Sequence, residues 1–108
     1  MDERCEQICQ KVSALIAAPT GDIEEIERVL TDGYAQALRL EAEKWRLEKR
    51  MSEVAQGLQR GDTEQKVREL STLAKQVDAN TGDVAELRSL LADLRRHGDA
   101  VRLESAVG

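Results

Sequence analysis

The sequence predicts an all-α protein organised as a long, coiled-coil-like antiparallel helical hairpin with a short N-terminal helix. Apolar residues recur at alternating intervals of three and four along two long segments, as they do on one side of a helix. Charged residues make up 34% of the chain and aromatic residues only 2%. This composition is typical of long helices and coiled coils. We expect a single helical domain over residues 1–108.

The clearest pattern lies in the predicted long helix 22–59. Only Gly33 and Lys44 interrupt its apolar positions, and Asp22 with Glu25 predicts a capping box at the start. A helix of about 37 residues would be roughly 55 Å long. The seam positions are Ile23, Ile26, Leu30, Gly33, Ala37, Leu40, Lys44, Leu47, Met51, Val54 and Leu58.

A shorter helix is predicted over residues 3–18, and Pro19 would end it because the residue before a proline avoids the helical region. Its apolar face has helical spacing and consists of Cys5, Ile8, Cys9, Val12, Leu15 and Ile16. We interpret Cys5 and Cys9 as free buried thiols. Two alternatives remain open, an interchain disulfide and a metal site that also uses His97, although zinc sites normally need four ligands.

A third helix is predicted over residues 62–97, after a turn in which Gly61 closes the preceding helix and Asp62 or Thr63 caps the next one. Its apolar seam also alternates by three and four. Its positions are Leu70, Leu73, Val77, Asn80, Val84, Leu87, Leu91 and Leu94.

Two features of the third helix leave alternatives. The segment 80–83, Asn-Thr-Gly-Asp, has the composition of a loop, yet the heptad phase continues across it. We therefore favour a continuous or kinked helix over a break followed by a restart at Asp83. Gly98 can stop the helix, which predicts a frayed tail over residues 98–108.

Folding the two seams about Gly61 brings apolar positions together, for example Val54 opposite Val67. Lys44 then lies opposite Val77 as a polar mismatch. Polar residues at seam positions fix register or oligomer state in coiled coils. We accordingly predict that Lys44 and Asn80 specify the register.

A second stripe of the long helix predicts an interface. Its members are Tyr34, Leu38, Ala42 and Trp45, with Ala35 beside them. The first helix can cover part of this stripe, but its apolar face would span only about 17 Å, so it cannot cover the whole hairpin. We expect a second copy of the chain to cover the remainder, giving a homodimeric or higher-order helical bundle.

Charge and motif content disfavour several classes of function. The formal net charge of −5 disfavours a nucleic-acid partner, because phosphates require a basic face. No apolar run is long enough to span a membrane. The first residues do not resemble a signal peptide, so we expect a cytoplasmic protein. No catalytic, cofactor-binding or metal-binding residue is predicted, and His97 is interpreted as a cation at a helix end.

The stretch 30–50, which reads LTDGYAQALRLEAEKWRLEKR, resembles small uncharacterised helical coiled-coil proteins of high-GC Gram-positive bacteria. The resemblance covers about a fifth of the chain and contains no catalytic motif. It implies a bacterial cytosolic setting and no activity.

The leading functional hypothesis is a non-enzymatic, oligomeric helical scaffold or interaction module that binds itself or another coiled-coil protein. A partner-sequestering regulator, similar to an antitoxin or an anti-sigma protein, is the first alternative, and it would use a tail that folds on binding. A small helical enzyme is the second. Chorismate mutases have similar size and three helices, but the set of pocket arginines that they require cannot be placed here.

Overall fold

The computed structural model describes residues 1–17, 21–61 and 63–107, and within these ranges every regular element is helical. Helix α1 spans Glu3–Ala17, α2 spans Ile23–Gly57 and α3 spans Thr63–Val107, with a short 3-10 turn at Leu58–Arg60 after α2. The predicted all-α class is confirmed. The predicted roles of Ala18, Pro19 and Asp62 fall outside the described residues.

The molecule is an elongated rod. Its principal extents are 70 × 19 × 15 Å and its radius of gyration is 19.2 Å, whereas a compact chain of this size would have roughly 13 Å. The length follows from the helices, because at 1.5 Å per residue α3 alone spans about 68 Å.

Local signals define the start of α2 and the turn that follows it. The Asp22 carboxylate accepts hydrogen bonds from the backbone N–H groups of Glu24 and Glu25 at 3.1 and 3.3 Å, so the predicted N-cap is present. Gly61 has φ +115°, a conformation that side chains larger than hydrogen rarely adopt. Beside the turn, the Lys66 ammonium donates to the Gly57 carbonyl at 2.6 Å. This places a cation at the negative end of α2.

Contacts between α2 and α3 join early residues of one helix to late residues of the other. Arg50 pairs with Glu69, and Arg88 pairs with Glu41, both at 2.8 Å. Further along, the Arg102 guanidinium contacts the Glu27 carboxylate. The amide of Asn80 donates to the Leu40 carbonyl at 2.9 Å within the seam.

Helix α1 lies against the half of α2 and α3 that is remote from the turn. Near its start Asp2 contacts Arg39 at 2.5 Å, and the Met1 amine contacts Asp83 at 3.3 Å. Its buried face consists of Cys5, Ile8, Cys9, Val12 and Leu15. These side chains join the core cluster with Ile26, Ala37, Leu40, Leu87, Leu91, Leu94 and Val101.

The end of α3 corrects the sequence prediction. The helix does not stop at residue 97 but continues through Gly98 to Val107, and Val101 is buried in the core. Gly98 is itself buried, and a Cβ there would lie 3.1 Å from Ile26 Cγ2. The glycine therefore permits close approach of α2 rather than ending α3. The helix is also continuous through residues 80–83.

Gly33 has the same role on the other long helix. Although it interrupts the apolar sequence pattern, it is buried, and a Cβ at this position would overlap the Leu91 side chain. Gly33 is thus a contact point of the seam and not a defect in it. The sequence pattern gave no indication of this, because the contact depends on a residue 58 positions away.

Candidate interaction surface

One face of α2 presents apolar side chains to solvent. Leu38 is 62% exposed and Trp45 is 63% exposed. Ala35 and Ala42 are exposed beside them. The four residues 35, 38, 42 and 45 follow the three-four-three spacing of a coiled-coil seam. At 100° per residue their centre lies roughly 150° around α2 from the buried seam. We refer to Ala35, Leu38, Ala42 and Trp45 as the outer face.

Neither neighbouring helix of the chain covers the outer face. Helix α1 packs on the flank of α2 that carries Val29 and Arg39. Helix α3 packs on the flank that carries Ala37 and Leu40. The sequence left open whether the first helix would cover Leu38 and Trp45, and in the described structure both remain mostly exposed.

Tyr34 is separated from the other predicted interface residues. It is half-buried and packs against the core cluster. Its ring borders an open groove of about 430 Å³ that is also lined by Arg95 and Arg102 of α3. At 100° per residue, Tyr34 lies about 60° from the centre of the outer face, on the side towards the seam. Ala35, which the sequence analysis placed beside the stripe, belongs to the outer face instead.

The exposed indole of Trp45 has one intramolecular neighbour of note. The Lys49 ammonium lies 5.3 Å from the ring centroid, within the range of a cation–π contact. Such contacts contribute only about 0.5–1 kcal/mol at exposed sites. This pair orients the ring without removing it from solvent.

The two predicted register residues have different environments. Lys44 lies at the edge of the seam, where its ammonium is 3.9 Å from Glu48 one turn later. Asn80 is 6% exposed, and its Nδ2 donates to the Leu40 carbonyl of the facing helix. Among the described residues, the Asn80 Oδ1 atom has no hydrogen-bond partner. A buried unpaired acceptor costs about 1–3 kcal/mol, which is the kind of cost that polar seam residues carry.

Charge is distributed unevenly along α2 and its cap. Residues 22–37 contain five acidic residues and one basic residue, for a formal charge of −4. Residues 38–50 contain five basic residues and three acidic residues, for a formal charge of +2. The formal charge along α2 therefore changes from negative before residue 38 to positive after it.

The two cysteines are free and buried. Burial raises the pKa of the Cys5 thiol to about 11, and burial also raises the pKa of Cys9. The Cys9 Sγ atom lies 3.7 Å from the Met1 Sδ atom. Both thiols are protonated at neutral pH, and a protonated thiol is a weak nucleophile and a poor metal ligand.

The described residues contain no group of three histidine, cysteine, aspartate or glutamate side chains placed to hold a metal ion. Within the same ranges, no helix combines the length and the hydropathy needed to cross a membrane.

Comparison with known proteins gives no family assignment: no family model matches the chain, and no similar protein was found among curated proteins or solved structures. A functional conclusion therefore depends on the surface and contacts of the chain itself.

Proposed function

We propose that this chain is a non-enzymatic helical interaction module of the cytoplasm that associates with itself through the outer face of α2. In this proposal α2 and α3 form an antiparallel helical hairpin, α1 braces one end, and two copies make a dimeric bundle. The observation that carries the proposal is the exposure of Leu38 and Trp45 at coiled-coil spacing on one side of a long helix. Exposed apolar residues that line up along one element are typical of interaction surfaces.

The residue types of the outer face suit a helical partner. Trp45 and Leu38 supply area with few rotamers to immobilise, and aromatic residues are enriched in interface cores. The small side chains of Ala35 and Ala42 leave room beside Leu38 and Trp45, so another helix can approach closely. Another coiled-coil protein has compatible chemistry, but the charge pattern described below favours a second copy.

Lys44 and Asn80 are proposed to fix how α2 and α3 pair. The hydrogen bond from Asn80 to the Leu40 carbonyl supports this role, because a shifted register would leave both polar atoms of the amide buried without partners. Lys44 keeps its charge at the solvent edge in the observed pairing. We expect a shift that buried this ammonium to cost several kcal/mol.

The regulator hypothesis has less support. It needs a tail that is disordered until a partner binds. The described part of the predicted tail, residues 98–107, is helical, and Val101 is buried in the core.

Sedimentation equilibrium from about 5 μM to about 1 mM tests self-association. The range extends to high concentration because a single helix stripe is smaller than the roughly 800 Å² per partner of a standard interface, and smaller interfaces bind more weakly. We expect a reversible monomer–dimer equilibrium. Leu38→Glu should shift it strongly to monomer, because it buries a charge at the contact.

Leu103 provides the matched control for this substitution. It is 67% exposed on α3, so Leu103→Glu makes the same chemical change elsewhere on the surface. We expect this variant to dimerise like the parent chain. A chain that stays monomeric to about 1 mM, or equal effects of the two substitutions, would contradict the proposal.

A further inference from the structure

We infer that the dimer pairs the two α2 helices antiparallel in one register, with Trp45 against the partner's Ala35 and Leu38 against the partner's Ala42. This inference rests on the proposed self-association and specifies its geometry. A two-fold axis at the level of Leu40 produces both contacts, and each occurs twice. The same register places Thr31 opposite the partner's Lys49.

Shape favours the antiparallel arrangement. The outer face alternates small and large residues as Ala35, Leu38, Ala42 and Trp45. The inferred register sets each large side chain against a small one, which is how facing helical layers fill space evenly. A parallel pairing in register would set Trp45 against the partner's Trp45 and alanine against alanine, alternating overfilled and empty layers.

Charge at the edge of the face favours the same register. Arg46 and Asp32 lie on the same flank, both are exposed, and neither takes part in an ion pair within the described chain. In the inferred dimer Arg46 meets the partner's Asp32, and the symmetry makes two such pairs. Flanking charges of this kind set orientation and register in coiled coils.

The charges closest to the axis are already compensated inside each chain. Arg39 would approach the partner's Arg39, but each is held by Asp2 at 2.5 Å and Glu43 at 3.8 Å. Glu41 would approach the partner's Glu41, but each accepts from Arg88 at 2.8 Å. The inferred axis therefore brings together no uncompensated like charges.

A neighbouring register fails on these grounds. Shifting one helix by a heptad towards its basic end brings Arg46 beside the partner's Arg39 and Glu48 beside the partner's Glu41. Like charges at flanking positions destabilise helical pairs. In the inferred register residues 30–37, with a formal charge of −1, also lie opposite residues 43–50 of the partner, with a formal charge of +2.

A charge exchange between Arg46 and Asp32 tests the register. We expect Arg46→Glu alone and Asp32→Arg alone each to raise the dimer dissociation constant about tenfold, since each change replaces two attractive exposed pairs by two repulsive ones. The double variant, with both substitutions, restores the pairs with reversed sign. Its dissociation constant should return to within about threefold of the parent value.

Arg68→Glu is the matched control, because Arg68 is an exposed arginine of α3 and not of the helix that carries the outer face. It should leave the dissociation constant unchanged, and circular dichroism should show equal helicity in all variants. A parent chain that dimerises while the double variant is no better than the single ones would overturn the register and leave self-association standing. A parent chain that is monomeric throughout would overturn both.

Discussion

Asn80 is the buried polar residue of the described core, and its amide is only half satisfied. The Nδ2 group bonds the Leu40 carbonyl, whereas Oδ1 has no partner among the described residues. Removing both polar atoms therefore loses one hydrogen bond, worth about 1 kcal/mol, and relieves an unpaired acceptor.

We predict that Asn80→Leu keeps or raises the free energy of unfolding, measured by urea titration, while permitting mixed pairings. Asn80→Asp should destabilise the fold at pH 7, because burial raises the pKa of a carboxyl group and disfavours its charged form. That loss should shrink as the pH falls towards 4 and the group becomes protonated. Equal stability of Asn80→Asp and the parent at pH 7 would mean that the site is hydrated.

The buried thiols predict a dependence of stability on alkaline pH. Since burial raises the pKa of Cys5 to about 11 in the folded chain, above about 8.5 in an unfolded one, folding favours the protonated thiol. This stabilisation is complete below the unfolded pKa and is lost as the pH rises through the folded value.

The urea midpoint should therefore decline above about pH 8.5, and Cys5→Ala should decline less over the same range. Comparison with this variant isolates the contribution of the Cys5 thiol. Identical slopes for the two proteins would exclude Cys5 as the source.

At the scale of helices, two glycines differ in the space around them, so replacing each with alanine should have opposite effects on stability. A Cβ at Gly33 would overlap Leu91, whereas at Gly82 nothing lies within 4 Å. Alanine is favoured over glycine inside a helix by about 1 kcal/mol, but overpacking costs about 1–3 kcal/mol.

We predict that Gly82→Ala raises the free energy of unfolding by up to about 1 kcal/mol and that Gly33→Ala lowers it by about 1 kcal/mol or more. Thermal and urea denaturation of the two variants provide the comparison, each serving as the control for the other. Equal stabilisation by both substitutions would contradict a close contact between Gly33 and Leu91.

Local signals explain which parts of the helices could be predicted. The N-cap at Asp22 and the positive φ at Gly61 depend on neighbours within a few residues, so they are visible in the sequence. The end of α3 is not visible in this way. Gly98 has the sequence context of a helix stop, but Ile26, far away in the chain, packs against it and the helix continues.

At the scale of the molecule, the flank of α2 on which α1 packs determines which surface of α2 remains exposed. The sequence identified Tyr34, Leu38, Ala42 and Trp45 as one stripe but could not predict that α1 would pack on the opposite flank of α2. Tertiary packing divides the stripe, burying part of Tyr34 and leaving the other three exposed. The sequence thus predicted a stripe that includes three of the four outer-face residues, and the three-helix packing separated Tyr34 from them.

The central claim is that this surface binds a second copy, and Trp45 reports on it directly because it is the only tryptophan. In the single chain the indole is 63% exposed, so its emission should lie at long wavelength. We predict that the emission maximum of the parent chain shifts to the blue as concentration rises from about 5 μM to about 1 mM. The emission maximum of the Leu38→Glu variant should stay at long wavelength over the whole concentration range. A parent emission maximum that stays red and independent of concentration, from a chain that is fully helical, would contradict self-association through the outer face.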